Sequence, residues 1–174
     1  GIKTADGKTY ELDVIVFATG FDAMTGAMKE IDIKGNGGVS IRDKWKDGPQ
    51  TYLGVMVAGF PNMFMVTGPQ SPGVKSQMIF SCQQHVDFVG DMIKYARGRQ
   101  MRRIEASRMA EINWVQHNNE VANSTLYPLA NSWYMGANIP GKPRIFMPYV
   151  GGYPRYRRRC DDVAANGYEG FALG

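Results

Sequence analysis

A chain of 174 residues can bury a real core and by length alone reads as one domain. A hydrophobic share of 44% with three Trp, nine Tyr and eight Phe excludes general disorder, and 21 Gly with nine Pro imply many turns. The net charge of +4 attracts polyanions only weakly unless the basic groups cluster, two cysteines are too few for a disulfide framework, and no apolar run reaches a membrane span. A soluble, cytoplasmic protein is expected, and the opening at Gly1 without Met is how a fragment begins.

Ile2 to Thr4 and Thr9 to Leu12 flank the turn-forming Ala5-Asp6-Gly7-Lys8 and predict a hairpin. Asp13 to Ala18 is a continuous, β-branched apolar run, the pattern of a strand buried on both faces of a parallel sheet. It is the one strand of this kind in the chain, so the rest of its sheet is expected to lie elsewhere. A second hairpin is predicted for Ile31 to Lys34 against Gly38 to Ile41, with Asn36-Gly37 in the turn. Val55 to Phe60 and Met63 to Val66 read as short strands.

After the loop Gly68-Pro69-Gln70-Ser71-Pro72-Gly73, apolar residues at helical spacing from Met78 to Ala96 predict a helix over about Ser76 to Arg97, with Ser76 or Ser71 as N-cap. Ser107 caps a predicted second helix running to about Asn123, with Ala110, Trp114 and Val121 on one face. Beyond Ser124 periodicity fades, and a long ordered tail held by aromatic packing is expected.

Two segments have a chemical logic of their own. A buried strand ending in Thr19-Gly20 lets the backbone turn sharply beside a ligand at the carboxyl edge of a doubly wound sheet; a plain turn glycine is the alternative. The Gly68 to Gly73 loop leads into a helix N-terminus, whose unpaired N–H groups favour negative charge such as that on the N1–C2=O edge of a reduced flavin; a proline-stiffened connection is the alternative.

Asp13-Val-Ile-Val-Phe-Ala-Thr-Gly-Phe-Asp-Ala23, Gly68-Pro-Gln-Ser-Pro72 and Asn131-Ser-Trp-Tyr-Met-Gly-Ala-Asn-Ile-Pro-Gly-Lys142 resemble successive segments of Baeyer–Villiger monooxygenases in order and distance. The tail from Tyr149 to Arg159 and Tyr168 to Phe171 extends the resemblance. It implies the C-terminal portion of an α/β flavoprotein with two Rossmann-like FAD and NADP domains, incomplete as a standalone fold. Residues 1–20 would end the NADP-binding domain, 21–123 would be the C-terminal part of the FAD-binding domain, and 124–174 a loop-rich segment with a mobile NADP-side loop. The implied reaction uses FAD, NADPH and O₂ to turn a small-molecule ketone into an ester or lactone.

Carried over by position, the resemblance implies cofactor-binding roles for Thr19, Gly20, Asp22, Gln77, Met78, Trp133 and Asn138. Met78 would offer its backbone N–H to the flavin pyrimidine edge, and Trp133 would pack against the NADP ribose and amide. Gly73, Val74 and Lys75 would line the substrate pocket. Lys75 and Gln77 depart from the residues more usual there, apolar and Asn respectively, and Lys75 is expected to point to solvent. No flavin-binding Gly-x-Gly-x-x-Gly follows a strand, and the family's Phe-x-Gly-x-x-x-His-x-x-x-Trp fingerprint and catalytic arginine are not in this sequence, so no catalytic residue is assigned here. The N-terminal portion of the same chain is the expected partner, and the segment alone is expected to be inactive.

A flavin monooxygenase acting on nitrogen or sulfur is set aside on the Trp133 to Lys142 element, and a non-catalytic remnant or binding module is the reading from another class. His85 and His117 have no metal-ligand spacing and read as satisfied or solvated histidines. Arg155 to Arg159 reads as a solvated or internally paired turn rather than a nucleic-acid grip. No nucleic-acid, metal or membrane partner is expected.

Overall fold

The computed structural model describes every residue of the chain except Thr19, Phe21 and Val74. In chain order the elements are strands β1 (Ile2–Lys3) and β2 (Thr9–Tyr10), helices α1 (Gly26–Glu30), α2 (Ile41–Lys44) and α3 (Met78–Arg97), strand β3 (Ile104–Ala106), helices α4 (Arg108–Asn123) and α5 (Tyr153–Ala165), and strand β4 (Phe171–Leu173). Short 3-10 turns lie at Asn36–Gly38, Tyr127–Leu129 and Trp133–Met135. β1 pairs antiparallel with β2, and β3 with β4, which brings the end of the chain back beside the start of α4.

The first hairpin forms as expected, in shortened form. The second is reduced to a single antiparallel bridge between Lys34 and Ser40, because Ile41 turns into α2, capped by Ser40 Oγ accepting from Asp43 N. The expected buried strand over Asp13 to Ala18 is not one here: those residues carry no regular structure, with Val16 81% and Phe17 83% exposed. A strand requires at least one hydrogen-bonded neighbour, and none of the four strands among the described residues pairs with it.

Val55 to Phe60 and Met63 to Val66 also fail as strands, although the first run is almost wholly buried. The chain doubles back at Tyr52 and Met56, with Gly54 at φ +69. A β-carbon on Gly54 would lie 2.6 Å from Ser71 Cβ, so only glycine admits this approach. Carboxylates replace the missing ladder: Glu111 Oε1 accepts from Ala58 N at 2.8 Å and Glu105 Oε1 from Gly59 N at 2.8 Å. A buried amide needs a partner, and here it finds one on a side chain.

α3 and α4 match expectation to within two residues. Ser107 Oγ accepts from Ala110 N at 3.2 Å and caps α4. The buried stripe of α4 is Glu111, Trp114, Asn118 and Ala122, more polar than its apolar residues alone suggest. α5 lies within the tail expected to be irregular; Tyr156, Cys160 and Val163 form its buried stripe, and Arg155 to Arg159 are therefore helical. The main core joins the Tyr52–Met56 turn, α3, α4, α5 and the β3–β4 pair, while Ile41, Trp45, Val57, Phe60 and Met65 form a second cluster.

Glu111 is buried, and Lys44 Nζ lies 2.7 Å from its Oε2, tying α2 to α4. Burial raises the Glu111 pKa against the opposing pull of Lys44 and the Ala58 amide. Removing one member of a buried pair leaves the other unsatisfied, so Glu111→Ala should lose about 3 kcal/mol or more. Glu111→Gln, which can still accept from Ala58, should lose less; urea denaturation of both variants checks the order, and equal losses would contradict it.

Candidate functional site

The site is built on the Gly68 to Gly73 loop. Gln70 is fully buried with φ +67, and its polar atoms reach three distant segments. Its Oε1 accepts from Thr51 N at 3.0 Å and Thr51 Oγ1 at 2.8 Å, while its Nε2 donates to Pro49 O at 3.0 Å. Its backbone N–H donates to Met147 O, and its carbonyl accepts from Trp114 Nε1 at 3.1 Å. Tyr149 N donates to Ser71 O at 2.8 Å, and Pro72 bridges Tyr149 in parallel, so the loop and the tail are laid side by side.

α3 begins immediately beyond. Neither serine expected to cap it does so: Ser71 Oγ donates to Gly68 O at 2.7 Å, and Ser76 Oγ is buried without a partner among the described residues. Gln77 occupies the N-cap position with no side-chain cap bond, and Gln77 and Met78 are both exposed. The first turn of a 20-residue helix thus presents N–H groups that no side chain caps.

On the tail, Ser132 Oγ accepts from Tyr134 N at 3.2 Å and starts the Trp133–Met135 turn. Gly136 ends it at φ +70, where a β-carbon would meet Lys142 Cδ at 3.0 Å and Met147 Cε at 3.1 Å. Lys142, with a side chain 6% exposed, forms an ion pair with Asp22. Asp22 Oδ1 also accepts from Thr25 Oγ1 at 3.1 Å, and a β-carbon on Gly20 would lie 3.9 Å from Asn138 Nδ2.

The fold therefore sets Gly20 beside Asn138 and pairs Asp22 with Lys142. Trp133 is half-exposed and leans on Tyr134 with ring centroids 4.0 Å apart. Lys75 is exposed, at φ +60, with Nζ 6.0 Å from the centroid of the Tyr127 ring, which meets Tyr134 edge-on at 6.3 Å. Gly73 lies against Pro148. Gln77 and Met78 share no hydrogen bond with Asp22 or Lys142 among the described residues, and Thr19 and Val74 fall outside those residues.

Protein-family models provide no match to this chain. It is 43% identical, over 99% of its own length, to the acetone monooxygenase (methyl acetate-forming) of Gordonia sp. (strain TY-5), of which it covers 33%. A phenazine N-monooxygenase of Lysobacter antibioticus is 42% identical over 99% of the chain and 32% of the relative. The closed crystal structure of a cyclohexanone monooxygenase superposes with a TM-score of 0.94 at 44% identity, over 100% of this chain and 32% of that one. Over its whole length the chain is similar, at about 40% identity, to Baeyer–Villiger monooxygenases. It corresponds to their C-terminal portion and spans about a third of its relatives' length.

The OTEMO structure in complex with FAD and NADP matches this chain with a TM-score of 0.88 at 40% identity, over 100% of this chain and 32% of that one. These neighbours are two-domain flavin monooxygenases, of which this chain covers about a third.

The residues that hold the loop in place carry no signal of that role in the sequence. Gln70 sat in a quoted motif without a role. His85, taken as a satisfied histidine, is one, and is fully buried. Its Nδ1 accepts from Thr67 N at 2.9 Å, which puts the proton on Nε2, 2.7 Å from Tyr156 Oη; Tyr156 in turn donates to Leu53 O. The helical spacing flagged His85, but its partner Tyr156 lay on a helix that was not foreseen.

Burial holds the His85 pKa down at about 4 from an ordinary 6.5. A depressed histidine favours the fold fully above its unfolded pKa and withdraws that support as pH falls, here by about 3 kcal/mol between pH ~6.5 and ~4. Denaturation across that range should show a shallower slope for His85→Gln than for wild type. An identical slope would contradict the assignment.

Proposed function

We propose that the protein carrying this segment is an FAD- and NADPH-dependent Baeyer–Villiger monooxygenase that converts a small-molecule ketone and O₂ to an ester or lactone. The observation that carries the reading is the unbroken match of the whole segment, with the loop, the uncapped helix and the Trp133 to Lys142 element all inside it. Bound FAD, reduced by NADPH, would supply the oxygen chemistry.

The residues present fit that cofactor. The uncapped first turn of α3, with Met78 exposed and Ser76 Oγ unpartnered among the described residues, offers donors and a positive helix end to the electron-rich flavin edge. Gln70 holds the loop before that turn rigid, so its donors need little reorganisation. Gly20 and Asp22 would lie beside the cofactors, with the Lys142–Asp22 pair tying the Trp133 loop to them. Asn138 would add a polar contact there, Gln77 would sit beside the flavin, and Trp133 would cover the nicotinamide side. Gly73, Val74 and Lys75 would form the wall of the ketone pocket. The exposed apolar side chains of Val14, Val16, Phe17, Ile79 and Phe80 would pack against the remaining portion of the longer protein.

We carry forward the division at residues 1–20, 21–123 and 124–174 as NADP-domain end, FAD-domain part and tail, the tail now containing α5. No helix among the described residues is long and apolar enough to cross a membrane, and with Cys82 and Cys160 both free we infer a cytoplasmic setting. Nitrogen oxygenation is the second reading, favoured by the phenazine relative.

The full-length protein should consume NADPH in step with ester formed from a simple ketone. Consumption coupled only to an N-oxide would favour the second reading, and no flavin-dependent NADPH consumption would defeat both. Trp133→Ala should raise KM for NADPH about tenfold with a smaller effect on kcat, the scale of one lost aromatic contact. Steady-state kinetics checks it, and an unchanged KM would remove Trp133 from the nicotinamide side.

A further inference from the structure

Arg155, Arg158 and Arg159 stand at i, i+3 and i+4 on α5 and so share one face of that helix. That face borders a cleft of about 870 Å³ whose opposite wall is α4. Arg157, outside the stripe, has Asp161 as its partner at 3.8 Å. None of the other three has a carboxylate partner among the described residues.

Tyr149 and the half-buried His117 line the cleft beside these arginines. Tyr149 is 1% exposed, and its hydroxyl lies 3.4 Å from His117 Nε2. Burial lowers the His117 pKa, opposed by Glu120 and assisted by Arg155 and Arg159. Trp114 stacks on Tyr149 with centroids 5.3 Å apart and gives the cleft an aromatic edge. Asp162 and Glu169 also border it, so three guanidiniums face two carboxylates, an excess of one positive charge. That excess is far too small to track a nucleic-acid backbone, which takes many phosphate contacts. It suits a single compact anion, for which guanidinium forks are the matched donors.

We propose that this cleft binds a phosphate-bearing small molecule, with its phosphate on Arg155, Arg158 and Arg159 and its organic part against the Trp114–Tyr149 edge. Asp162 stands one turn beyond Arg158 and limits the affinity by repelling the same anion. The site is independent of the flavin reading, since none of the residues given cofactor or ketone contacts takes part in it.

The test is calorimetry on the full-length protein, loaded with FAD and saturated with NADP⁺ so that nucleotide sites elsewhere are filled, titrated with AMP and, separately, inorganic phosphate. One AMP per chain is expected, bound more tightly than phosphate. Arg155→Gln with Arg158→Gln should weaken AMP at least tenfold, the loss of about 1.4 kcal/mol or more. Asp162→Asn should tighten it about threefold, a gain that misfolding cannot produce. No binding by wild type, equal affinity in the double-arginine variant, AMP no tighter than phosphate, or weaker binding by Asp162→Asn would each overturn the proposal.

Discussion

The loop that begins at Gly68 exists in its observed shape because one buried amide side chain is fully paired. Gln70 is cut off from water, and each polar atom it buries would cost about 1–3 kcal/mol if left without a partner. Its partners come from Pro49 and Thr51, from Trp114 on α4 and from Met147 in the tail. Three regions remote in sequence are thereby fixed to one residue, and α3 starts a few residues later from the position that residue sets. A loop without regular structure can carry a site only when its backbone is held this way.

Two further ties make the arrangement cooperative. His85 on α3 accepts from Thr67, just before the loop, and reaches Tyr156 on α5, so the first long helix and the last one clamp the same stretch of backbone. Lys142 reaches Asp22 and draws the Trp133 turn toward the segment around Gly20. The residues assigned to flavin, nicotinamide and ketone come from segments near 20, 73–78 and 133–138. What joins those segments is the set of pairings around Gln70, His85 and Lys142, none of which is assigned a contact with the reacting groups.

The long helices were legible because Met78 to Ala96 repeats at 3.6 residues and because Ser107 is a good N-cap. α5 was not, because four arginines and two aspartates between Tyr153 and Ala165 mask the short buried stripe of Tyr156, Cys160 and Val163. The run from Val55 to Phe60 misled because burial and β-branching without alternation look alike in a strand and in a buried turn. Asp13 to Ala18 has a parallel strand's composition, but its sheet neighbours are not among the described residues. Of the candidate site, the motif residues were readable by resemblance, whereas the supporting partners were not. Glu111, Gln70 and His85 are polar residues whose burial depends on contacts across 18 to 77 positions, and no local pattern reports those.

We propose that this loop, uncapped helix and tail turn belong to a site that places oxygen from O₂ beside a carbonyl. Turnover of a cyclic ketone by the full-length protein under ¹⁸O₂, with NADPH and FAD, tests it most directly by mass spectrometry of the product. One labelled oxygen in the ring position of a lactone is the predicted result. A product that carries no label, or NADPH consumed with all the oxygen recovered as hydrogen peroxide under every ketone offered, would contradict the account.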